Sequence, residues 1–398
     1  MPLTYKGQVA SAEVNGEFKL TVECDGVAMT APLDAYFVPF ADITDFEKKD
    51  NTIHIKTGAD SFAIARLGSL TDAFFDEMYA AYNAKVRASM FVQGSSLFKT
   101  RGEYQYDEND TAARGTALIE VYRDCVLILP PDAGARRVPL CFLSAMEKDG
   151  FALALRLDTG ESYRFMKLGY DTAPFAQNIE KCLYDLRENA LKAVRELDGS
   201  LNPSQLSAIA KRMPEGAAAP LGCLYNIAPS FAAAVEDRIA VSRVADEYLA
   251  LKEIGGFMRI CVGMKSGLAG EDSENILWLI APGQKHGTAA VELVTSEETA
   301  AATFIYHGFS DWDTFRRRLN QAMEAIGFRR EVIRLTDDEL TRPDYADMAM
   351  AVRRNGALRF IRSHFAGRVI HSSPEHWKRE LFAYLAEERG ERIRRNEN

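Results

Sequence analysis

The residues of this chain that could do chemistry are few and scattered. Three of its six histidines fall close together, His364, His371 and His376. Spacings of seven and five do not put three imidazoles on one helical turn, as a zinc-protease motif requires. Surface or interfacial histidines are the expectation there, and no metal ligand is assigned. Gly263-Met264-Lys265-Ser266-Gly267-Leu268-Ala269-Gly270 contains the residue types of a phosphate loop, but in the wrong order. Such a loop ends in Gly-Lys-Ser/Thr and enters a helix whose amides meet the phosphates, whereas Glu271-Asp272 follows here; a hairpin connection is expected instead. There is no Gly-x-Ser-x-Gly elbow, and His54, the sole imidazole of the first half, alternates with Ile53 and Ile55 as on a strand's outer face. Carboxylate pairs such as Asp42 with Asp45 and Asp337 with Asp338 are expected by chance among 57 acidic residues. No catalytic residue and no cofactor are assigned, and the chain is expected not to be an enzyme.

Charge singles out one further stretch. Between Asp347 and Glu375 there is no acidic residue, while Arg353, Arg354, Arg359, Arg362 and Arg368 all fall there, interleaved with Leu358, Phe360, Ile361 and Phe365. Arginine among aromatics suits nucleic acid, an acidic protein or an anionic membrane surface. The plainer reading is a helical face packed on acidic neighbours of the same chain. Arg316-Arg317-Arg318 has the same two readings. A net charge of -9 argues against a general nucleic-acid or membrane binder, which depends on clustered cations.

The elements that carry these residues are organised by a duplication, and such a repeat decides the architecture. Val38-Pro39-Phe40, Ile43-Thr44 and Phe46-Glu47-Lys48 align with Val138-Pro139-Leu140, Leu143-Ser144 and Met146-Glu147-Lys148; further on, Leu67-Gly68 and Phe74 align with Leu168-Gly169 and Phe175. Each copy reads as a meander of short strands, a Leu-Gly stop and one long amphipathic helix. In copy one Phe18, Leu20 and Val22 alternate, Asp25-Gly26 turns the chain into Val27 and Met29, and Ile53, Ile55, Phe62 and Ile64 continue the period of two. In copy two the same reading uses Ile119 and Val121, Val126 and Ile128, then Phe151, Leu153 and Leu155, then Tyr163 and Phe165. The closing helices present Leu70, Phe74, Met78, Tyr82, Val86 and Met90, and Phe175, Ile179, Leu183 and Leu186, with Asp171-Thr172 as cap. An apolar stripe of that size can close a sandwich of short strands.

About seven short strands and a terminal helix in roughly 100 residues, twice over, resembles the pleckstrin-homology-like superfold. The resemblance rests on layout and on the internal repeat. It implies binding of other molecules rather than catalysis. Two features differ from the phosphoinositide-binding members: the hairpin Val22–Val27 is acidic, and the three tryptophans, 278, 312 and 377, lie outside both closing helices.

The expected fold class is α+β, with boundaries at 1–95 and 96–199 for the two copies. A helical connector follows over 200–238, capped by Asn202 with Pro203 at the first helical position. Residues 239–335 return to strands and end in a helix read as capped by Ser310 and Asp313; they form either a third, degenerate copy or a separate α+β domain. The segment 336–398 reads as helical, with capping boxes at Thr336/Glu339 and Ser372/Glu375. Its end, Glu387–Asn398, has little to bury and is expected to fray.

The amino terminus lacks a basic-then-apolar signal, no apolar run approaches the ~18 residues of a membrane span, and the six cysteines show no CxxC spacing. A cytoplasmic protein with buried thiols is expected. Its partner is expected to be another protein or a second copy of itself, bound by a non-enzymatic scaffold module; an anionic ligand at 353–368 is the alternative, and an enzyme with a pocket in 239–335 a third.

Overall fold

The alternation of buried and exposed side chains builds the first sheet strand by strand. In β2 (Asn15–Val22) Phe18, Leu20 and Val22 point inward, and in β3 (Gly26–Thr30) Val27 and Met29 do. With β1 (Thr4–Ala10), β4 (Ala35–Pro39), β5 (Ile43–Lys49), β6 (Thr52–Thr57) and β7 (Ser61–Ala65) they make an antiparallel sheet of order β4-β3-β2-β1-β7-β6-β5. β1 joins its halves: it pairs along its length with β2, and through Gln8–Ala10 with β7. Helix α1 (Thr71–Ser89) covers the inner face with Phe74, Met78, Tyr82 and Val86. Leu70, expected on that stripe, is half exposed because the helix begins one residue later, after a single 3-10 turn.

A computed structural model describes residues 3–108, 111–265, 276–294 and 302–386. The chain falls into two units, Met1–Ile179 with Leu335–Gly356, and Glu180–Arg334 with Ala357–Asn398. The first unit contains a second sheet made from β8 (Phe98–Asp107), β9 (Ala112–Val121), β10 (Cys125–Leu129), β11 (Arg136–Pro139), β12 (Leu143–Asp149), β13 (Ala152–Leu157) and β14 (Ser162–Met166). Its order, β11-β10-β9-β8-β14-β13-β12, is that of the first sheet with every number raised by seven. Helix α2 (Thr172–Leu197) follows, again after a Leu-Gly pair and a 3-10 turn. In both copies the residue before that Leu, Arg66 or Lys167, and the Gly after it are left-handed. The Thr172 hydroxyl donates to the Gly169 carbonyl at 2.9 Å. Phe151, expected on an inner face, is instead exposed in the tight turn that joins Asp149 to Ala152.

Completing the first unit are α9 (Asp337–Leu340), with the expected Thr336/Glu339 capping box, and α10 (Ala346–Arg354), whose Met350 enters the core beside α1. The segment 336–398 is therefore shared between the two units, and it is not helical throughout, since β20 (Phe365–Ile370) lies inside it.

In the second unit, α3 (Pro203–Arg212) starts at Asn202 with a capping box to Gln205, and α4 (Leu221–Ile227), α5 (Pro229–Ala240) and α6 (Ala245–Gly255) follow. Its antiparallel sheet comprises β15 (Ala219–Pro220), β16 (Cys261–Lys265), β17 (Ile276–Pro282), β18 (Thr288–Val294), β19 (Ala302–His307) and β20, in that order. This sequential order differs from that of the other two sheets. One face packs Leu277, Leu279, Ala290, Ile305 and Val369 against α5, α6 and α12 (Pro374–Leu385). The other face sets Tyr306 against Phe315 of α7 (Trp312–Ala325) and Trp278 against Phe328. Strands covered on both faces read as unbroken apolar runs, as in Leu277–Ile280. Two caps sit one residue from their expected positions: Asp311 accepts from Thr314 N in α7, and Ser373 from His376 N in α12. Helices α8 (Glu331–Arg334) and α11 (Gly356–His364) complete the described helices. Ser266–Gly270 of the glycine-rich stretch and the tail Glu387–Asn398 lie outside the described residues.

Candidate interaction surface

An edge strand exposes a row of backbone donors and acceptors, and β5 is such a strand in the first sheet. Its outer edge is occupied from within the chain. Phe46 N donates to the Pro131 carbonyl at 2.9 Å, Ala133 N donates to the Thr44 carbonyl at 2.9 Å, and Asp45 stands opposite Asp132 as an antiparallel bridge. The visiting segment is the loop between β10 and β11 of copy two. A bulge prepares the edge for it. The β5–β6 register slips between Ile43 and Asp45, and the exposed Thr44 donates its hydroxyl to the Lys56 carbonyl of the neighbouring strand at 3.2 Å. The extra residue of a bulge is left out of its own ladder, which leaves the Thr44 carbonyl for Ala133.

Side chains of α1 hold the loop from the other side. Tyr79 donates its hydroxyl to the Leu129 carbonyl, and Tyr82 donates to the Asp132 carbonyl at 2.8 Å. Burial raises the Asp132 carboxyl, with the Gly134 amide partly opposing the shift. Beneath the loop, Cys125, Leu127 and Leu129 of β10 join the core of copy one, so β10 is buried on both faces. The fully buried Glu120 of β9 receives Arg87 Nε at 2.7 Å, Lys99 Nζ at 3.0 Å and the Tyr122 hydroxyl at 2.9 Å. Burial alone would push its carboxyl up; the Arg87 and Lys99 bonds outweigh it and hold the pKa below the usual value.

Copy two repeats the bulged edge. The β12–β13 register slips between Leu143 and Ala145, and the Ser144 hydroxyl donates to the Arg156 carbonyl at 3.0 Å. Among the described residues, no backbone hydrogen bond reaches the outer edge of β12 at Ser144 or Met146. Phe46 is 0% exposed under its loop, whereas the equivalent Met146 is only half-buried.

The second unit holds a buried polar cluster that sequence reading missed. Glu292 Oε2 accepts from the Thr303 hydroxyl at 2.6 Å and lies 3.0 Å from His371 Nε2; Trp377 Nε1 donates to Thr303 Oγ1 at 2.9 Å. His371 Nδ1 is 3.7 Å from Glu247. Burial opposes a charged His371, but the carboxylate of Glu292 and the charge of Glu247 outweigh it, and the pKa lies above the usual histidine value. The cluster ties α12 to the sheet. Of the three clustered histidines only His371 takes part: His364 Nδ1 lies 2.8 Å from the Phe360 carbonyl, and His376 pairs with Glu380. Among the described residues, no three His, Cys, Asp or Glu side chains converge as metal ligands.

The five arginines are divided between the two units. Arg353 and Arg354 belong to the first unit and the other three to the second. Arg354 is buried and donates to the Tyr82 hydroxyl at 2.8 Å, and Arg353 donates to the Ala41 carbonyl. Arg362 donates to the Val332 carbonyl. Arg359 is half-buried, and Arg368 is exposed. The available sequence signals lay elsewhere: Cys125–Leu129 is an unbroken apolar run where copy one alternates, and Glu292 stands between the strand residues Val291 and Leu293.

No protein-family model and no curated protein matches the chain. No helix among the described residues is long and apolar enough to cross a membrane.

Proposed function

We propose that this chain is a non-enzymatic protein-interaction module, a cytoplasmic scaffold in which two pleckstrin-homology-like sandwiches bind partner backbone along bulged edge strands. The strand order shared by the two seven-stranded sheets, each followed by a helix, supports the superfold. The observation that carries the functional reading is the seat of Pro131–Ala133 on β5. The chain itself uses that edge for strand addition, a recurring mode of peptide recognition in which main-chain bonds supply affinity. β12 has the same bulge, the same hydroxyl-to-carbonyl bond to its neighbour and, among the described residues, an outer edge without a backbone partner at Ser144 and Met146. Fold likeness alone says little about function; the reading rests on this edge.

The test is capture of partners by the full chain and by Met146→Pro, washed at low and high salt. Proline removes the outward N–H and is tolerated on edge strands. The expected result is a stoichiometric protein that survives high salt with the wild type and is lost with the variant. Equal capture by both would overturn the reading.

A further inference from the structure

The internal contact also indicates who the partner at β12 is. In one molecule, the β10–β11 loop of copy two sits on the β5 edge of copy one. Each copy has both parts, a loop and an edge, so the pair leaves one of each over: the β3–β4 loop of copy one and the β12 edge of copy two. Between Val27, aligned with Val126, and the loops the offset is constant, so Pro32 falls on Pro131, Leu33 on Asp132 and Asp34 on Ala133. We infer that a second copy of this chain inserts its Ala31–Asp34 loop on the bulged edge of β12, giving a head-to-tail assembly. This rests on the reading of the edge strands as binding surfaces given above.

The exposed chemistry suits that occupant. Leu33 is 95% exposed at the tip of its loop, and the residue it would face is Ala145, where copy one has Asp45 opposite Asp132. The internal junction sets acid against acid, supported by Lys56 on Asp45 at 2.9 Å; the external one would set leucine against alanine. In the inferred contact Met146 N would donate to the Pro32 carbonyl and Asp34 N to the Ser144 carbonyl, from a loop one residue shorter than its counterpart and closed by Ala31 N on the Asp34 carbonyl at 2.8 Å. Neither Pro32 O nor Asp34 N has a backbone partner among the described residues. Such a contact uses two different patches, so each added copy presents a fresh loop and a fresh edge. Heterologous contacts of this kind yield open chains or rings rather than closed dimers. The contact is small, in the range of transient association, so a Kd on the order of ~10–100 µM is expected.

The test uses the purified full chain in sedimentation equilibrium, with Leu33→Arg as the loop variant and Met146→Pro as the edge variant. Ala145→Asp serves as a second edge variant that keeps the fold, because copy one carries aspartate at that position. The wild type should grow in mass with concentration past the dimer. Each variant alone should associate at least about tenfold more weakly. Mixing the loop variant with either edge variant should restore one contact and stop at a one-to-one dimer, since each complex then keeps a defective loop at one end and a defective edge at the other. A wild type that stays monomeric to about 100 µM, or that forms a dimer which the mixture does not reproduce, overturns the proposal. If the wild type is monomeric but Met146-dependent capture of another protein persists, the head-to-tail inference alone falls; if that capture is absent too, the reading of the edge falls with it.

Discussion

Replacing Leu127 with alanine tests the join between the two copies. In a free sandwich the outer face of β10 would meet water, and a Leu→Ala change there would alter stability by no more than about 0.5 kcal/mol. Leu127 is instead fully buried in the core of copy one. Removing a buried leucine's methyl groups and leaving a cavity costs about 2–5 kcal/mol; with neighbours on every side, about 3 kcal/mol is a fair centre. For a cooperative unit of about 200 residues, each kcal/mol moves Tm by about 2–4 °C, so the transition of the first unit should fall by about 6–12 °C. The control is Thr30→Ala, at the exposed position of copy one that corresponds to Leu129; it should be neutral. Differential scanning calorimetry reads both, because the two units need not melt together. Amide exchange at Phe46 and Ala133 adds a local readout, and both should lose protection in Leu127→Ala. A fall below about 2 °C, indistinguishable from Thr30→Ala, would refute the shared core and the seating of the loop that depends on it.

Three further outcomes follow from the buried charges. Glu120 has a depressed pKa, so its stabilisation is present above its usual 4.5 and is lost as pH falls through the lower folded value; Glu120→Gln should flatten the acid limb of the far-ultraviolet circular dichroism titration below about pH 4.5. His371 is the opposite case. Its raised pKa gives stabilisation that is complete below the usual 6.5 and is lost as pH rises through the folded value, so urea unfolding followed by tryptophan fluorescence should weaken above that pH in the wild type and not in His371→Gln. All three tryptophans lie in the second unit, which makes that signal specific. Finally, Arg354→Met removes the donor to the Tyr82 hydroxyl and should cost about 1–3 kcal/mol by chemical denaturation, while leaving any salt-sensitive binding of polyanions unchanged.

What could be read from the sequence was what local periodicity reports. The alternation at Phe18, Leu20 and Val22, the Leu-Gly stops and the stripe from Phe74 to Val86 each depend on neighbours within a few residues, and all stand in the structure. Phe151 was misread because two turn residues between strands continue the period of two by accident. β20 went unread because Phe365–Ile370 follows a helical pattern directly, and its strand character comes from pairing with β19, some sixty residues earlier. Arg354 stands in a basic stretch whose two readings were a binding surface and a helical face on acidic neighbours; its partner is the Tyr82 hydroxyl, 272 residues away. The Glu292–His371 pair joins residues 79 apart. Long-range polar pairs leave no periodic trace.

The places where the two copies diverge nonetheless carry information once the fold is known. Both copies keep the bulge residue as a hydroxyl, Thr44 or Ser144, because each hydroxyl bonds a carbonyl of the neighbouring strand. They differ where one contacts the other. β10 has Leu127 and Leu129 where β3 has Ala28 and Thr30, since only β10 is covered on its outer face. α1 has Tyr79 and Tyr82 to bond the visiting loop, and that loop carries Pro130-Pro131, whose rings remove amide donors at the point where the Pro131 carbonyl must face Phe46. Gly134, the residue by which this loop exceeds its counterpart, follows the bridge, and its amide donates to the Asp132 carboxylate at 2.6 Å. Divergence in this duplication therefore follows the internal contact, with similarity preserved at the feature, the bulged edge, that both copies retain.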